Sequence, residues 1–146
     1  MKFTANLFVF CMLFCATHLQ AQKVANYYSG KPGTATYQGY SFWAKAGKPT
    51  QIMYNYGKDR AEMKPTYAGK ASYKNQRGFK MVFPNQKVFY VIPAGDNLKI
   101  VNTALNNTEI FKWEYEGPVE GRGTYCEVCT QDEKEAMQLL KAAYLK

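Results

Sequence analysis

From Tyr40 onward the chain alternates short apolar runs with turn-forming residues, and only its last segment changes period. Tyr40-Ser-Phe-Trp-Ala44 opens the series and Gly47-Lys-Pro49 breaks it. In Gln51–Tyr56, residues Ile52, Tyr54 and Tyr56 share one face of an extended strand. The polar stretch Gly57–Lys64 separates this from Thr66–Tyr73, and Lys74-Asn-Gln-Arg-Gly78 turns the chain back into Phe79–Phe83. After Pro84-Asn85, Val88–Ile92 is apolar throughout, as in a strand buried on both faces. Pro93–Asn97 is a strong turn, Leu98–Thr103 returns, and Asn106-Asn107 turns again. Thr108–Glu116 alternates most cleanly: Phe111, Trp113 and Tyr115 fall on one face, Lys112, Glu114 and Glu116 on the other.

Gly117-Pro118, Gly121 and Gly123 interrupt the series before a last short strand at Thr124–Cys126. The period then becomes helical. Thr130-Gln-Asp-Glu133 reads as a capping box, and Ala136, Leu139, Leu140, Ala143 and Tyr144 recur on one helical face. The pattern therefore predicts a mainly β fold: an antiparallel meander of about seven to eight strands forming a small barrel or curved sheet, closed by one amphipathic helix over about residues 130–145. A β-sandwich is the alternative. The element order resembles that of lipocalin-type barrels in architecture, but the Gly-x-Trp of their first strand is replaced here by Gly39-Tyr-Ser-Phe-Trp43.

The start of the chain has a different logic. Lys2 precedes an apolar run from Leu7 to Ala16, and a short polar stretch ends at Ala21. Positive charge, short apolar run and small terminal residue are the parts of a secretory signal peptide, and the run is about half the length needed to span a bilayer. Cys11 and Cys15 each follow Phe rather than a small residue, unlike lipid-attachment cysteines. The expected organisation is a signal peptide over 1–21, cleaved near Ala21, and a single secreted or periplasmic β-rich domain over 22–146. No transmembrane segment is expected.

Processing would remove His18, the sole histidine of the 146 residues. A mature chain without imidazole excludes Ser-His-Asp and Cys-His catalysis, histidine metal ligation and a histidine pH switch. It also leaves Cys126 and Cys129 as the only cysteines. Export favours a disulfide between them, clamping the last strand to the helix. The sharper alternative is an exported thiol-disulfide oxidoreductase, with Cys126 as nucleophile and Cys129 as resolving thiol before a helix N-terminus. Glu127, Asp132 and Glu133 oppose a thiolate there, and the motif lies near the end of a β chain rather than in an alternating βαβ pattern. Zinc would need two further ligands, and Thr130 stands where haem attachment requires His; no metal and no cofactor are expected.

Charge is unevenly distributed. Lys23–Tyr90 carries 12 Lys or Arg against Asp59 and Glu62, whereas Val91–Lys146 carries 6 basic and 9 acidic residues. The basic half suits an anionic envelope polymer, a glycan or a protein partner. Export and the lack of a recognition helix disfavour nucleic acid. Tyrosines crowd the same half, so Tyr37, Tyr40, Tyr54, Tyr56, Lys58, Tyr67, Lys70 and Tyr73 form a candidate binding surface, able to stack on sugar rings while offering hydroxyls. The same tyrosines are also ordinary strand residues. Phe111, Trp113 and Tyr115 are candidate interior aromatics for an apolar ligand. Glu109, Glu114, Glu116 and Glu120 raise a glycosidase pair only to weaken it, since Glu114 and Glu116 share the wet face with Lys112. The leading expectation is a secreted or periplasmic non-enzymatic domain that binds an envelope component, a glycan or a protein partner.

Overall fold

A computed structural model describes residues 21–115 and 128–146. It is mainly β, as the alternation requires: nine antiparallel strands in one curled, half-barrel sheet with a single C-terminal helix. The strands are β1 (Lys23–Ser29), β2 (Gln38–Lys45), β3 (Lys48–Tyr56), β4 (Ala61–Met63), β5 (Thr66–Tyr73), β6 (Gln76–Val82), β7 (Val88–Ala94), β8 (Asn97–Asn102) and β9 (Asn107–Trp113); the helix, α1, spans Glu133–Tyr144. The order across the sheet is β4-β3-β2-β1-β9-β8-β7-β6-β5. Every neighbour is also a neighbour in sequence except β1 and β9, which meet at Tyr27 opposite Trp113. That pairing joins the two ends of the meander and curls the sheet.

Tight turns make the meander possible. Ala46 and Gly47 both have positive φ, 52° and 69°, as a two-residue type I′ hairpin requires. The strand therefore resumes at Lys48, earlier than Gly47-Lys-Pro49 suggests. Pro49 is tolerated because β3 pairs outward with β4 only at Tyr54–Tyr56, leaving Pro49 without an outer neighbour. Lys74-Asn75 makes a similar turn, φ 46° and 63°, so β6 starts at Gln76. Two elements lie outside the expected set: β1, and the three-residue β4 inside the polar stretch. The expected strand at Thr124–Cys126 lies outside the described residues.

Inward-facing positions follow strict alternation. Ala25 and Tyr27, then Tyr40 and Phe42, Ile52, Phe79 and Met81, Val91, Leu98 and Ile100, and Phe111 form one continuous buried core. Val91 and Ile92 are both buried, while Val88 at the start of that strand is exposed; the apolar run is sandwiched at one end only. From the helix, Ala136, Met137, Leu140, Ala143 and Tyr144 enter the same core. Tyr144 is its deepest anchor. The ring packs edge-on against Phe42 at 5.7 Å and on Phe79 at 4.9 Å. Its hydroxyl lies 2.7 Å from the Trp43 carbonyl and 3.1 Å from that of Gln51. Those carbonyls flank the point where the β2–β3 register slips between Trp43 and Ala44, so a helix side chain satisfies backbone that the irregularity exposes.

The helix begins later than the Thr130 box places it. Asp132 is the N-cap, accepting from the Glu135 N–H at 2.7 Å, and Glu135 reaches back to the Gln131 N–H at 2.7 Å. Thr130 is buried and accepts the Trp113 indole N–H at 3.1 Å. The reason is tertiary. Val24 bridges in parallel to Cys129, with Val24 N–H on the Val128 carbonyl and Thr130 N–H on that of Val24. This extended segment takes over beside β1 where β9 leaves it, and helix can start only beyond it. Among the described residues no helix is long and apolar enough to cross a membrane.

Candidate functional site

The helix fills one end of the curled sheet, beside Val24, Trp43 and Gln51. The other end, where Ser29 pairs with Gln38 and Asn102 with Asn107, forms a mouth. Inward-facing positions change character as strands approach it. In β1 the inward series runs Ala25, Tyr27, Ser29; in β2, read toward the mouth, Ala44, Phe42, Tyr40, Gln38. In β8 it is Leu98, Ile100, Asn102, and in β9, again toward the mouth, Phe111 then Glu109. Apolar residues floor the cup and polar ones form its lip.

A cavity of about 240 Å³ opens there, with Tyr40, Tyr54, Phe89 and Phe111 as aromatic walls and Gln38 and Glu109 as convergent polar groups. The polar groups are linked. The Tyr54 hydroxyl donates to Gln38 Oε1 at 2.9 Å, Gln38 Nε2 donates to Glu109 Oε2 at 2.8 Å, and the Ser29 hydroxyl donates to Glu109 Oε1. The rings interlock as well: Tyr40 lies 4.7 Å from Tyr54 and meets Phe111 edge-on at 5.1 Å. Burial, then Glu109 and then Tyr56, push the Tyr54 phenol up to about 12. Burial, followed by Tyr54 and Glu109, raises Tyr40 further still. Both phenols stay protonated at physiological pH. The cup is thus a set of neutral aromatic faces around one carboxylate, chemistry of the kind that can orient a small polar ligand by stacking and directed hydrogen bonds.

The expected surface of tyrosines and lysines is divided among three places. Tyr40, Tyr54 and Tyr56 gather at the mouth, Tyr56 half-exposed and stacked on Tyr54 at 5.4 Å. Tyr67 lies beneath the helix C-terminus, donating to the Tyr144 carbonyl at 3.0 Å. Tyr73 and Lys70 sit on β5, with Tyr73 against Tyr90 at 5.3 Å and Lys70 exposed. Tyr37 is buried rather than displayed, in the space left by the missing side chain of Gly39, where a Cβ would stand 2.7 Å from its hydroxyl. The Arg60 guanidinium covers the Tyr37 ring at 5.1 Å. Lys58 is exposed on the β3–β4 turn, at the mouth end with Arg60. Of the three interior aromatics, Phe111 is fully buried in the cup, Trp113 packs at the edge of the core, and Tyr115 is exposed.

Glu109 is the candidate site residue least visible along the chain, where it is one acid in a run. Its parity with Phe111 and Trp113 is the signal that turns it inward. Glu114 has the opposite parity, and its carboxylate takes the Tyr37 hydroxyl at 3.4 Å, so Glu109 stands as the one carboxylate among the residues lining the mouth. Cys129 is buried, in the bridge to Val24 and three residues before the N-cap. Cys126 lies outside the described residues. Among the described residues no group of three or more His, Cys, Asp or Glu could hold a metal.

A second hollow, of about 420 Å³, runs between α1 and the β2–β3 turn and is lined chiefly by Ala44, Ala46, Gly47, Leu139, Ala142 and Ala143. Its charged groups, Lys23 and Glu135, are already paired with each other. Its other polar side chain is the exposed Gln138 and it has no aromatic wall, whereas the mouth joins Gln38 and Glu109 to four aromatic rings. No family model, curated protein or solved structure matches the chain.

Proposed function

We propose that the chain is an exported, non-enzymatic binding domain that takes one ring of an envelope glycan into the mouth of its half-barrel. The observation carrying this reading is the linked Tyr54–Gln38–Glu109–Ser29 lip above aromatic walls. Stacking faces beside amide and carboxylate acceptors suit a hydroxyl-rich ring, which is apolar on its faces and polar at its edge. The 240 Å³ volume is below the usual range for a drug-sized site, about 300–1,000 Å³, and fits a single ring better than an acyl chain. A single carboxylate in the cavity favours binding over hydrolysis, which needs a second about 5–9.5 Å away.

The surroundings support a polymeric, anionic partner. Turns at the mouth end carry Lys31, Lys58, Arg60 and Lys87, all exposed, against Asp59. Lysine ammonium groups act there as point charges, attracting a polyanion without a fixed geometry. Export rests on the signal-peptide pattern of residues 1–21, and in that compartment Cys126 and Cys129 would pair as a structural clamp. Its place beside the bridge from Val24 to Cys129 suits such a role.

The test is a titration of the protein with neutral, amino and acidic oligosaccharides, following the ring resonances of Tyr40, Tyr54 and Phe111 by NMR. Saturable shifts at these rings are expected, with affinity for acidic polymers falling as salt rises. Shifts confined to the helix groove, or none with any saccharide, would overturn the reading.

A further inference from the structure

The Glu109 carboxylate has an unusual position for a basic protein. It faces inward, it is half-buried, and among the described residues no Lys or Arg pairs with it. Its partners are two neutral donors, the Ser29 hydroxyl and the Gln38 amide. A carboxylate offers about four lone-pair sites, so two donors leave acceptor capacity on the cavity side. Around it stand the faces and edges of Tyr40, Tyr54 and Phe111. Aromatic π faces attract cations, most strongly where water is excluded, and an uncompensated carboxylate beside them adds a charge-assisted hydrogen bond. A neutral hydroxyl would leave most of that field unused.

We infer that the group the mouth selects is a protonated amine, seated on the cavity side of Glu109 and enclosed by Tyr40, Tyr54 and Phe111. The inference rests on the binding reading above and narrows it from any sugar ring to one carrying a free amino group. The same chemistry recognises an alkylammonium headgroup, so the two sources must be separated experimentally. The lysines on the mouth-end turns oppose a free cation from outside, but at physiological salt their field is screened over about 8 Å. They would hold the anionic part of a ligand whose amino group enters the cup.

The experiment compares glucosamine, N-acetylglucosamine and ethanolamine on the full mature chain, read by NMR shifts of the three rings, and repeats it with Glu109→Gln. Acetylation removes the charge while keeping the sugar, so glucosamine should bind about tenfold more tightly than its acetylated form. Glu109→Gln should bring that ratio close to one. Ethanolamine binding more tightly than glucosamine, with N-acetylglucosamine weakest, would support the ammonium site and assign its source to a headgroup. Equal affinity for amine and acetamide would overturn this inference while leaving the saccharide reading standing. A preference for amine that survives Glu109→Gln would overturn the role given to Glu109. Binding of none of the three would overturn both readings. The ratio on the unmodified chain decides the matter even if the variant folds poorly.

Discussion

The two ends of the half-barrel solve opposite problems with the same residue types. At the helix end, tyrosine serves stability: Tyr144 lies fully buried, its ring among Phe42, Phe79 and Tyr67, its hydroxyl spanning two backbone carbonyls. At the mouth, Tyr54 is only partly buried, and its hydroxyl feeds a side-chain chain that ends on a carboxylate lacking a cationic partner among the described residues. At the helix end the Tyr67 and Tyr144 hydroxyls are taken up by backbone carbonyls; at the mouth the carboxylate keeps acceptor capacity. An inward carboxylate without a cationic partner recovers its desolvation only through such hydrogen bonds as those from Ser29 and Gln38. That asymmetry is the reason to place stability at one end and recognition at the other.

Removing the helix anchor should have the largest effect. Leu140 is fully buried in the core, and Leu140→Ala should cost about 2–5 kcal/mol through lost burial and the cavity left behind. Chemical denaturation should show it as a lower midpoint with an unchanged slope. A cost under about 1 kcal/mol would mean that the helix is an appendage and the sheet stands alone.

Next come two chemically identical changes with different expected outcomes. Tyr144→Phe removes the hydroxyl that meets the Trp43 and Gln51 carbonyls and should cost about 1–3 kcal/mol. Tyr27 is equally buried, but its hydroxyl has no hydrogen-bond partner among the described residues, so Tyr27→Phe should be neutral or slightly stabilising. Thermal melts of the pair give the answer directly. Equal losses would show that ring packing, not the bracketed carbonyls, sets the value of Tyr144.

The helix start offers a smaller, pH-dependent effect. Hydrogen bonds from Lys23 and the Gln131 N–H hold the Glu135 carboxyl below its usual 4.5. A depressed folded-state value means that this stabilisation is complete above the unfolded value and fades as pH falls through the folded one. Acid unfolding should therefore steepen below about pH 4.5, and Lys23→Met should flatten that dependence. Asp132→Ala, which removes the N-cap acceptor, should cost about 1 kcal/mol at neutral pH. If Thr130→Ala disturbed the helix start more than Asp132→Ala does, the assignment of the cap would fail.

How much of this was legible along the chain depended on how local each interaction is. The Thr108–Glu116 alternation located β9 and its inward face because side-chain parity is a property of the strand alone. Parity also placed Glu109 inward, yet a charged residue in a run of acids reads as surface unless parity is followed to the strand's end. The first strand, Lys23–Ser29, shows no alternation to read, because Val24 to Tyr27 are buried in succession, the polar Asn26 among them. The cap shows the limit most clearly. Thr130 with Glu133 and Asp132 with Glu135 have the same cap-to-acid spacing, and a local rule cannot choose between them. The choice is made by Val24, which draws Cys129 and Thr130 into extended backbone, and by the Trp113 indole, which occupies the Thr130 hydroxyl. For the same reason the eight tyrosines and lysines could be named, but their division between mouth, helix end and β5 could not. Curvature decides which inward positions meet.

The smallest expected change in stability bears most directly on the comparison. Glu109→Gln preserves the shape of the lip, and an amide oxygen can still accept from Ser29 or Gln38. If the carboxylate serves recognition, stability should move by less than about 0.5 kcal/mol, the ordinary range for a substitution that opens no cavity and strands no buried charge. The Tyr54 phenol should nevertheless titrate lower than about 12, because the negative charge opposing its ionisation is gone, while burial, the larger cause, keeps it above the usual 10. Ring NMR through an alkaline titration reads both values on one sample. A loss as large as that of Tyr144→Phe, with no change at Tyr54, would place Glu109 among the residues that hold the fold, and the two ends of the molecule would no longer differ in kind.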